Sequence, residues 1–244
     1  MRILVVGATS TIATECERIW ASSGGNHLTL VARNAEHLEA LKNDLQIRYP
    51  QSTYNTLVCD FESPEDVATA LTRAGAIDVA LIAHGQLTDQ HNAQDNLSTL
   101  KESLSINAIS PALFIEAVIK QFETQKRGTL AVIGSVAGDR ARRSNYVYGT
   151  AKGFLDLYCD GLRHRLAGTN INVVLIKPGP TSSKMTMAMP NPPKGMADAA
   201  TVATDIVKAC AKGQSTTIYT PRKWQLIMFV IRNLPNFVFN KMNI

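Results

Sequence analysis

The sequence predicts an α/β protein with a doubly wound, seven-stranded, mostly parallel sheet and helices on both faces. Short apolar runs alternate with longer amphipathic segments, and most of the apolar runs are continuous rather than interrupted by polar residues. Strand–helix alternation is typical of parallel sheets with right-handed crossovers. A continuous apolar run indicates a strand that is covered on both faces.

Each element can be located from its own residues. The predicted strands cover 3–6, 28–32, 54–60, 78–83, 129–135, 171–177 and 216–219. The predicted helices cover about 12–22, 34–48, 64–74, 98–124, 146–167 and 197–212. Turn and cap residues agree with these bounds, since Gly24 and Gly25 follow the first helix and Ser63-Pro64 begins the third.

Two regions fall outside this alternation. Residues 184–196 are rich in proline and methionine and predict a mobile loop. From Thr220 the chain is strongly apolar, with basic residues spaced through it. We therefore expect one domain over residues 1–220, which is a usual size for α/β folds, and a C-terminal extension over 221–244.

Composition limits the classes of function. The net charge of +5 is modest and is not gathered in a tail, so we expect no nucleic-acid partner. No run reaches ~18 apolar residues, and the first apolar run is short and leads into a turn, so we expect neither a membrane span nor a signal peptide. The four cysteines are far apart, which favours reduced core thiols in a cytoplasmic protein and no metal site.

The most specific chemical signal is the stretch "SNYVYGTAKGF", in which Tyr148 and Lys152 share one face of a predicted helix. A nearby ammonium group should lower the pKa of a phenol, which would make Tyr148 an acid or base near neutral pH. Such a pair alone is more often a surface pair. Here, however, Ser135 lies upstream at the carboxyl end of a buried strand, where open α/β sheets bind ligands.

Asn107 adds a fourth signal, because asparagine is unfavourable in the middle of the long helix predicted over 98–124. With these four residues in this order, residues 1–220 resemble the short-chain dehydrogenase/reductase family. The resemblance implies that Tyr148 is the acid/base, that Ser135 holds the substrate carbonyl and that Lys152 binds the nicotinamide ribose. It also implies that Asn107 supports a water in a proton relay.

The first strand leads into "GATSTIA", which resembles the family's glycine-rich phosphate loop and implies a Rossmann-type fold. Gly7 keeps the tight turn, but Thr11 and Ala13 stand where the family has glycines. Thr11 is the doubtful change, because β-branched residues resist positive φ. Hydroxyl groups at the helix N-terminus can instead bind a phosphate, and the loop residues expected to contact the cofactor are Gly7, Thr9, Ser10, Thr11 and Ile12.

The second strand ends in Ala32 and Arg33, without the acidic residue that NAD binding usually requires. A guanidinium there suits a 2′-phosphate, which predicts NADP(H), although Arg33 could also be simply solvated. By resemblance, Asp60 contacts the adenine with Phe61 beside it, and Gly85 is retained after the fourth strand. Ala83 replaces an asparagine there, and His84 is either a buried structural imidazole or a catalytic one.

After the sixth strand, "KPGPTSSKM" resembles the family's segment at the nicotinamide. By position, Pro178 and Gly179 begin this segment, Thr181 offers its backbone to the carboxamide, and Ser183 replaces the usual threonine. A carboxamide held there would fix which face of the ring delivers hydride.

The substrate is less clearly indicated. Arg140, Arg142 and Arg143 lie between Ser135 and Tyr148, where they either grip an anion on the substrate or form a solvated or subunit-contacting loop. In the extension 221–244, an apolar helical face with basic ends suits a membrane surface, a dimer interface or a cover over the substrate pocket.

The extension, the altered glycine loop and the segment "TPRKW" also resemble the subgroup that contains decaprenylphosphoryl-ribose 2-keto reductases. That resemblance implies a small-molecule or lipid-linked carbonyl substrate. The sequence therefore predicts an NADPH-dependent ketone reductase that is cytoplasmic or peripheral on the inner face of the membrane. The family resemblance further implies a homodimer or homotetramer. The alternative is a non-catalytic NADP(H)-binding sensor or scaffold of the same fold.

Overall fold

The computed structural model describes residues 1–189 and 191–242. In this part of the chain the predicted seven strands are present, with bounds that differ from the predictions by no more than two residues. They are β1 (Arg2–Val6), β2 (His27–Ala32), β3 (Thr53–Val58), β4 (Val79–Ile82), β5 (Gly128–Ile133), β6 (Ile171–Pro178) and β7 (Thr216–Thr220).

The strands form one sheet in the order β3-β2-β1-β4-β5-β6-β7. Every pairing of neighbouring strands is parallel, so the predicted doubly wound fold is confirmed and the sheet is fully parallel. The strand order reverses between β1 and β4. Ligands of open α/β sheets bind at the carboxyl ends of the strands beside such a reversal.

Helices connect the strands and cover both faces of the sheet. They are α1 (Thr11–Ser22), α2 (Ala35–Arg48), α3 (Pro64–Ala74), α4 (Gln90–Asp95), α5 (Leu97–Leu104), α6 (Ser110–Gln125), α7 (Tyr146–Arg165), α8 (Lys184–Met187), α9 (Ala199–Ala211), α10 (Lys223–Asn233) and α11 (Asn236–Phe239). The caps predicted for α3 are present, with Ser63 accepting a hydrogen bond from the amide of Asp66 and Pro64 in the first turn.

Two hydrophobic cores explain the continuous apolar pattern of the strands. In β1, Leu4 and Val6 pack under α3, α6 and α7, whereas Ile3 and Val5 pack under α1, α2 and α9. Successive side chains of a strand point to opposite faces, so a strand that is buried on both faces must be apolar throughout. All four cysteines are buried and unpaired, as predicted for core thiols.

The long helix predicted over 98–124 contains a break in its regular winding. Between α5 and α6, residues Ser105–Ile109 form a π-helical turn that includes Asn107. Such turns occur frequently at functional sites. The continuous stretch Leu97–Gln125 is long and apolar enough to cross a membrane by composition, but residues such as Phe114 and Phe122 in it are buried in the core against the sheet.

The two regions outside the alternation are partly helical. The segment predicted as a mobile loop over 184–196 begins with α8, and its Pro190 lies outside the described residues. The C-terminal extension folds into α10 and α11. Met228 of α10 is fully buried, whereas its neighbours Leu226, Phe229 and Val230 are exposed.

Helix α7 packs directly against the short turn Val136–Gly138 that follows β5, and glycines permit this close approach. A Cβ atom on Gly149 would lie 2.9 Å from the carbonyl oxygen of Ala137. A Cβ atom on Gly138 would lie 2.8 Å from the carbonyl carbon of Lys152. Because backbone atoms have little room to yield, any larger residue would push α7 away from β5.

This contact gives a stability prediction with an internal control. Gly149→Ala should lower the free energy of unfolding by about 1–3 kcal/mol, because the added methyl group overpacks a backbone contact. Gly161→Ala, on the same helix with open space around it, should instead raise it by roughly 0.5–1 kcal/mol, because alanine favours the helix. Urea denaturation followed by circular dichroism measures both, and equal stability of the two variants would contradict the packing argument.

Candidate active site

A cavity of about 700 Å³ opens at the carboxyl ends of the central strands. Segments that follow six different strands contribute to its wall, from β1 to β6. Most of the predicted site residues line it: Gly7, Thr9, Ser10, Thr11, Ile12, Arg33, Phe61, Ala83, Gly85, Ser135, Tyr148, Lys152, Pro178, Gly179, Thr181 and Ser183. Asp60 and Asn107 do not.

In the loop after β1, the positive φ that favours glycine occurs at Gly7 and not at Thr11. Gly7 has a φ of 79°, and a Cβ atom on it would lie 2.6 Å from the amide nitrogen of His84. Thr11, by contrast, is the first residue of α1 and has no positive φ, so the expected conflict with its branched side chain does not arise. Its hydroxyl accepts a hydrogen bond from the amide of Lys184, 3.2 Å away, which ties this loop to α8.

Ser10 is the N-cap of α1 and accepts a hydrogen bond from the amide of Ala13. The amino end of α1 therefore borders the cavity. The unpaired backbone N–H groups and the dipole of a helix N-terminus favour an anion there. Ala13 is fully buried between α1 and the sheet, where only a small residue is needed.

Arg33 lies exposed at the edge of the cavity, and its guanidinium lies 6.0 Å from the centre of the Phe61 ring. Asp60 is exposed outside the cavity, and its carboxylate accepts a hydrogen bond from the amide of Glu62. The carboxylate that does line the cavity on this side belongs to Glu62. The adenine contact expected of Asp60 stays a prediction, with Asp60 next to the cavity-lining Phe61.

Ser135, Tyr148 and Lys152 meet at the inner end of the cavity. The close contact of α7 with the turn after β5 brings them together. Lys152 is buried and its Nζ donates a hydrogen bond to the carbonyl oxygen of Ile133, 3.0 Å away. The same Nζ lies 5.7 Å from the centre of the Tyr148 ring, and the Ser135 hydroxyl accepts from the amide of Ala137.

The expected lowering of the Tyr148 pKa is not found. Burial raises the pKa of Tyr148 to about 12, although a hydrogen bond from Ser135 acts in the opposite direction. Burial also lowers the pKa of Lys152 to about 8, opposed by the carboxylate of Asp156. For both groups the effect of removal from water outweighs the effect that we expected from the ammonium charge. Tyr148 consequently keeps its proton at neutral pH.

Asn107 lies behind the cavity, in the π-helical turn. Its Oδ1 accepts a hydrogen bond from the amide of Gln86, and its Nδ2 donates to the carbonyl oxygens of Gln86 and Ser103. The side chain thus holds the segment after β4 in place. The part predicted for it in a water relay stays a prediction.

His84 is partly buried and lines the cavity, and its contacts are those of a structural residue. Its Nε2 lies 2.8 Å from the Ser110 hydroxyl, and its ring packs against Phe61 and Phe114. Burial lowers the pKa of His84 to about 3. The imidazole is therefore neutral at physiological pH and is not a proton donor, which favours the structural alternative over the catalytic one.

The segment after β6 is braced from behind by the C-terminal extension. A Cβ atom on Gly179 would lie 1.9 Å from the indole Nε1 of Trp224, so only glycine leaves room for this ring. Thr181 donates a hydrogen bond to the carbonyl oxygen of Gly179. Ser183 caps α8, in a reciprocal pair with Thr186.

The three arginines between Ser135 and Tyr148 have different positions. Arg140 donates to the carbonyl oxygens of Ile231 and Leu234, and Arg143 donates to that of Asn240. Both therefore bind the C-terminal extension. Arg142 alone of the three lines the cavity.

Sequence reasoning also missed apolar residues of the cavity wall that come from loops and short helices. They are Leu87, Ile106, Met185, Met189 and Pro193. Met185 and Met189 belong to the methionine-rich stretch that the sequence marked only as mobile. Its apolar composition next to the nicotinamide segment was the available signal.

Comparisons with known proteins agree with this geometry. The family model described as short chain dehydrogenase matches residues 1–193. An uncharacterized oxidoreductase of Streptomyces coelicolor is 29% identical over 98% of this chain and 95% of its own length. A second, from Mycobacterium tuberculosis, is 29% identical over 98% of this chain and 96% of its own length.

Solved structures show the same fold at lower identity. A short-chain dehydrogenase from Sphingobium yanoikuyae in complex with NADPH has a TM-score of 0.80 at 19% identity and covers 97% of each chain. Levodione reductase has a TM-score of 0.79 at 21% identity, covering 89% of this chain and 94% of its own. With its parallel sheet, its cavity at the strand ends and this family match, the chain belongs to the short-chain dehydrogenase family of oxidoreductases.

Proposed function

We propose that this protein is an NADPH-dependent reductase that converts a ketone to a secondary alcohol, or runs the reverse reaction. The observation that carries the proposal is that Tyr148, Lys152 and Ser135 line one cavity together with the amino end of α1. A protein that only binds a nucleotide requires no tyrosine–lysine pair. The alternative, a non-catalytic sensor or scaffold, is distinguished by turnover.

The residues present fit a dinucleotide. Gly7 makes a tight turn with a φ of 79° and lines the cavity, and the amino end of α1 borders the same space. We assign the 2′-phosphate to Arg33, because the second strand ends without an acidic residue that would repel it. When bound, the cofactor supplies the hydride.

The chain's own residues handle the proton and the carbonyl. Ser135 and Tyr148 line the same cavity, and each hydroxyl could donate a hydrogen bond to a carbonyl oxygen bound there. In the reductive direction Tyr148 would give its proton to the carbonyl oxygen, and solvent would later restore that proton. The raised pKa keeps Tyr148 protonated for this direction. The Lys152 ammonium stabilises the phenolate that remains.

The partners predicted from the sequence stay proposals. Exposed apolar side chains on and next to α6 and α7, namely Ile109, Phe154 and Leu157, support self-association as a dimer or tetramer. A small-molecule carbonyl compound fits the cavity directly. A lipid-linked substrate would require the protein to work at a membrane surface.

The C-terminal extension supports such a membrane contact. Leu226, Phe229 and Phe237 are 66–72% exposed. The sequence after Asp205 contains no acidic residue, and Arg222, Lys223, Arg232 and Lys241 lie in the extension. An exposed apolar surface with basic residues around it suits an anionic lipid surface.

Tyr148→Phe tests the proposed acid. Removing the hydroxyl should lower kcat by about 10²–10⁴-fold, the usual contribution of a general acid, while the Kd for NADPH changes less than about twofold. NADPH oxidation with a panel of ketones gives kcat, and fluorescence titration gives Kd. Tyr146→Phe, two residues earlier and exposed, is the matched control and should keep full activity. Full activity of Tyr148→Phe would exclude the mechanism.

Arg33→Ala tests the choice of cofactor. Loss of a charge-assisted contact should raise the KM for NADPH by about 10- to 100-fold and leave the KM for NADH nearly unchanged. Arg73→Ala on α3, outside the cavity, is the control and should change neither value. Equal weakening of both cofactors by Arg33→Ala would disprove the assignment of the 2′-phosphate.

The membrane contact is tested by flotation with phosphatidylglycerol vesicles. The double variant Leu226→Ser/Phe229→Ser should lose most of the binding, because it removes exposed apolar area and leaves the buried Met228 untouched. Ile47→Ser, which alters an exposed apolar residue of α2, should bind like the wild type. Undiminished flotation of the double variant would reject the proposal, and loss of a concentration-dependent dimer in sedimentation would assign this surface to a second copy of the chain.

A further inference from the structure

The inside of the cavity carries an excess of positive charge. Four cationic side chains among the described residues line it: Arg33, Arg142, Lys152 and Lys184. The carboxylate in the same described lining is that of Glu62. Arg33 is assigned above to the cofactor, and Lys152 to the proton chemistry. Arg142, next to the catalytic end, has no such assignment.

Arg142 is partly buried without a partner of opposite charge. No ion pair joins it to another described residue, and its Nε is buried without a hydrogen-bond partner in the described part of the chain. Its hydrogen bond from Nη2 goes to the Met228 sulfur at 3.8 Å, and thioether sulfur is a weak acceptor. Burial lowers the pKa of Arg142, and only Asp139 acts against this.

Asp139 is already committed to other groups. Its two carboxylate oxygens accept from the ammonium of Lys177 and from the hydroxyl of Tyr219. Lys177 also binds Asp156, 2.7 Å away. This buried network holds the carboxylate below the turn after β5, so it does not pair with the guanidinium of Arg142.

The neighbouring arginines do not share this condition. The guanidinium of Arg140 binds two carbonyl oxygens and the Asn236 amide oxygen, and lies 3.8 Å from the centre of the Phe239 ring. Arg143 donates to Asn240. The segment that carries Arg142 is therefore anchored by Arg140 before it and Arg143 after it, whereas the guanidinium of Arg142 lies in the cavity wall without a charged partner among the described residues.

The 2′-phosphate of the cofactor, which is assigned to Arg33, is too far away to pair with the guanidinium of Arg142. Arg33 follows β2, and Arg142 belongs to the segment that follows β5; β1 and β4 lie between these strands. At ~4.8 Å per strand, this separates them by about 14 Å across the sheet. An anion on a molecule bound in the cavity that Arg142 lines would supply the missing partner.

We propose that Arg142 binds an oxyanion on the carbonyl substrate, so that this reductase acts on ketones bearing a carboxylate or a phosphate. The proposal rests on the proposed reductase activity. Burying a charged group without a partner is unfavourable, and a bidentate oxyanion supplies both charge and hydrogen-bond acceptors in the geometry that guanidinium prefers. The substrate then lies with its carbonyl at Tyr148 and Ser135 and its anion at Arg142.

The test compares matched substrates that differ in charge. Wild-type kcat/KM should be about 10- to 100-fold higher for 4-acetylbenzoate than for its methyl ester, or for dihydroxyacetone phosphate than for dihydroxyacetone. The pair that shows the preference identifies the oxyanion as carboxylate or phosphate. Arg142→Gln should remove the preference, because kcat/KM for the anionic compound falls to about the value for its neutral partner. Arg143→Gln is the neighbouring control and should keep the preference.

A binding measurement separates this proposal from the proposed function. With NADPH present, the anionic compound should raise the Tm of the Tyr148→Phe protein, and adding Arg142→Gln should abolish that shift. Absence of an anion preference in both pairs and in both measurements overturns the assignment of Arg142. Turnover of neutral ketones in that case would leave the reductase activity standing, whereas anion-dependent binding without turnover of any compound would reject the reductase activity and keep Arg142 as an anion site.

Discussion

The close packing of α7 on the turn after β5 is the constraint on which the rest of the site depends. Gly138 and Gly149 leave no room for a side chain between these two backbones. The contact brings Ser135, at the end of a strand, beside Tyr148 and Lys152, on a helix. Without it, residues from two different elements would face the cavity at different depths. The arrangement of the three site residues therefore depends on glycine at positions 138 and 149.

The same region is held from below and from outside. Below it, Lys177 joins Asp139 to Asp156 and thereby ties the turn, β6 and α7 together. Outside it, Arg140 and Arg143 bind the C-terminal extension through backbone carbonyl oxygens. The extension is consequently part of the architecture around the cavity mouth. A membrane or a second protomer that covered the exposed apolar residues of the extension would therefore be connected to the catalytic end through Arg140 and Arg143.

Burial determines the protonation states in the site. It raises the pKa of Tyr148 and lowers those of Lys152 and His84, because each shift favours the neutral form of a group removed from water. A neutral His84 serves as packing and as a partner of Ser110. A protonated Tyr148 is ready to donate. The unpaired charge of Arg142 is the exception among these groups, since guanidinium does not release its proton at any physiological pH.

The sequence by itself determined the seven strands, the parallel fold, the family and sixteen of the residues that line the cavity. Those features follow from local patterns: apolar runs, caps such as Ser63-Pro64, and the spacing of Ser135, Tyr148 and Lys152. Only the tertiary structure decided that the backbone at Thr11 has no positive φ, so that no glycine is required at this position. The tertiary structure likewise decided that Asn107 and Asp60 lie outside the cavity. It also decided that, of the three arginines at 140, 142 and 143, only Arg142 lines the cavity. The physical reason is that backbone angles, burial and charge pairing depend on segments far apart in the chain, and no local pattern records which of them meet.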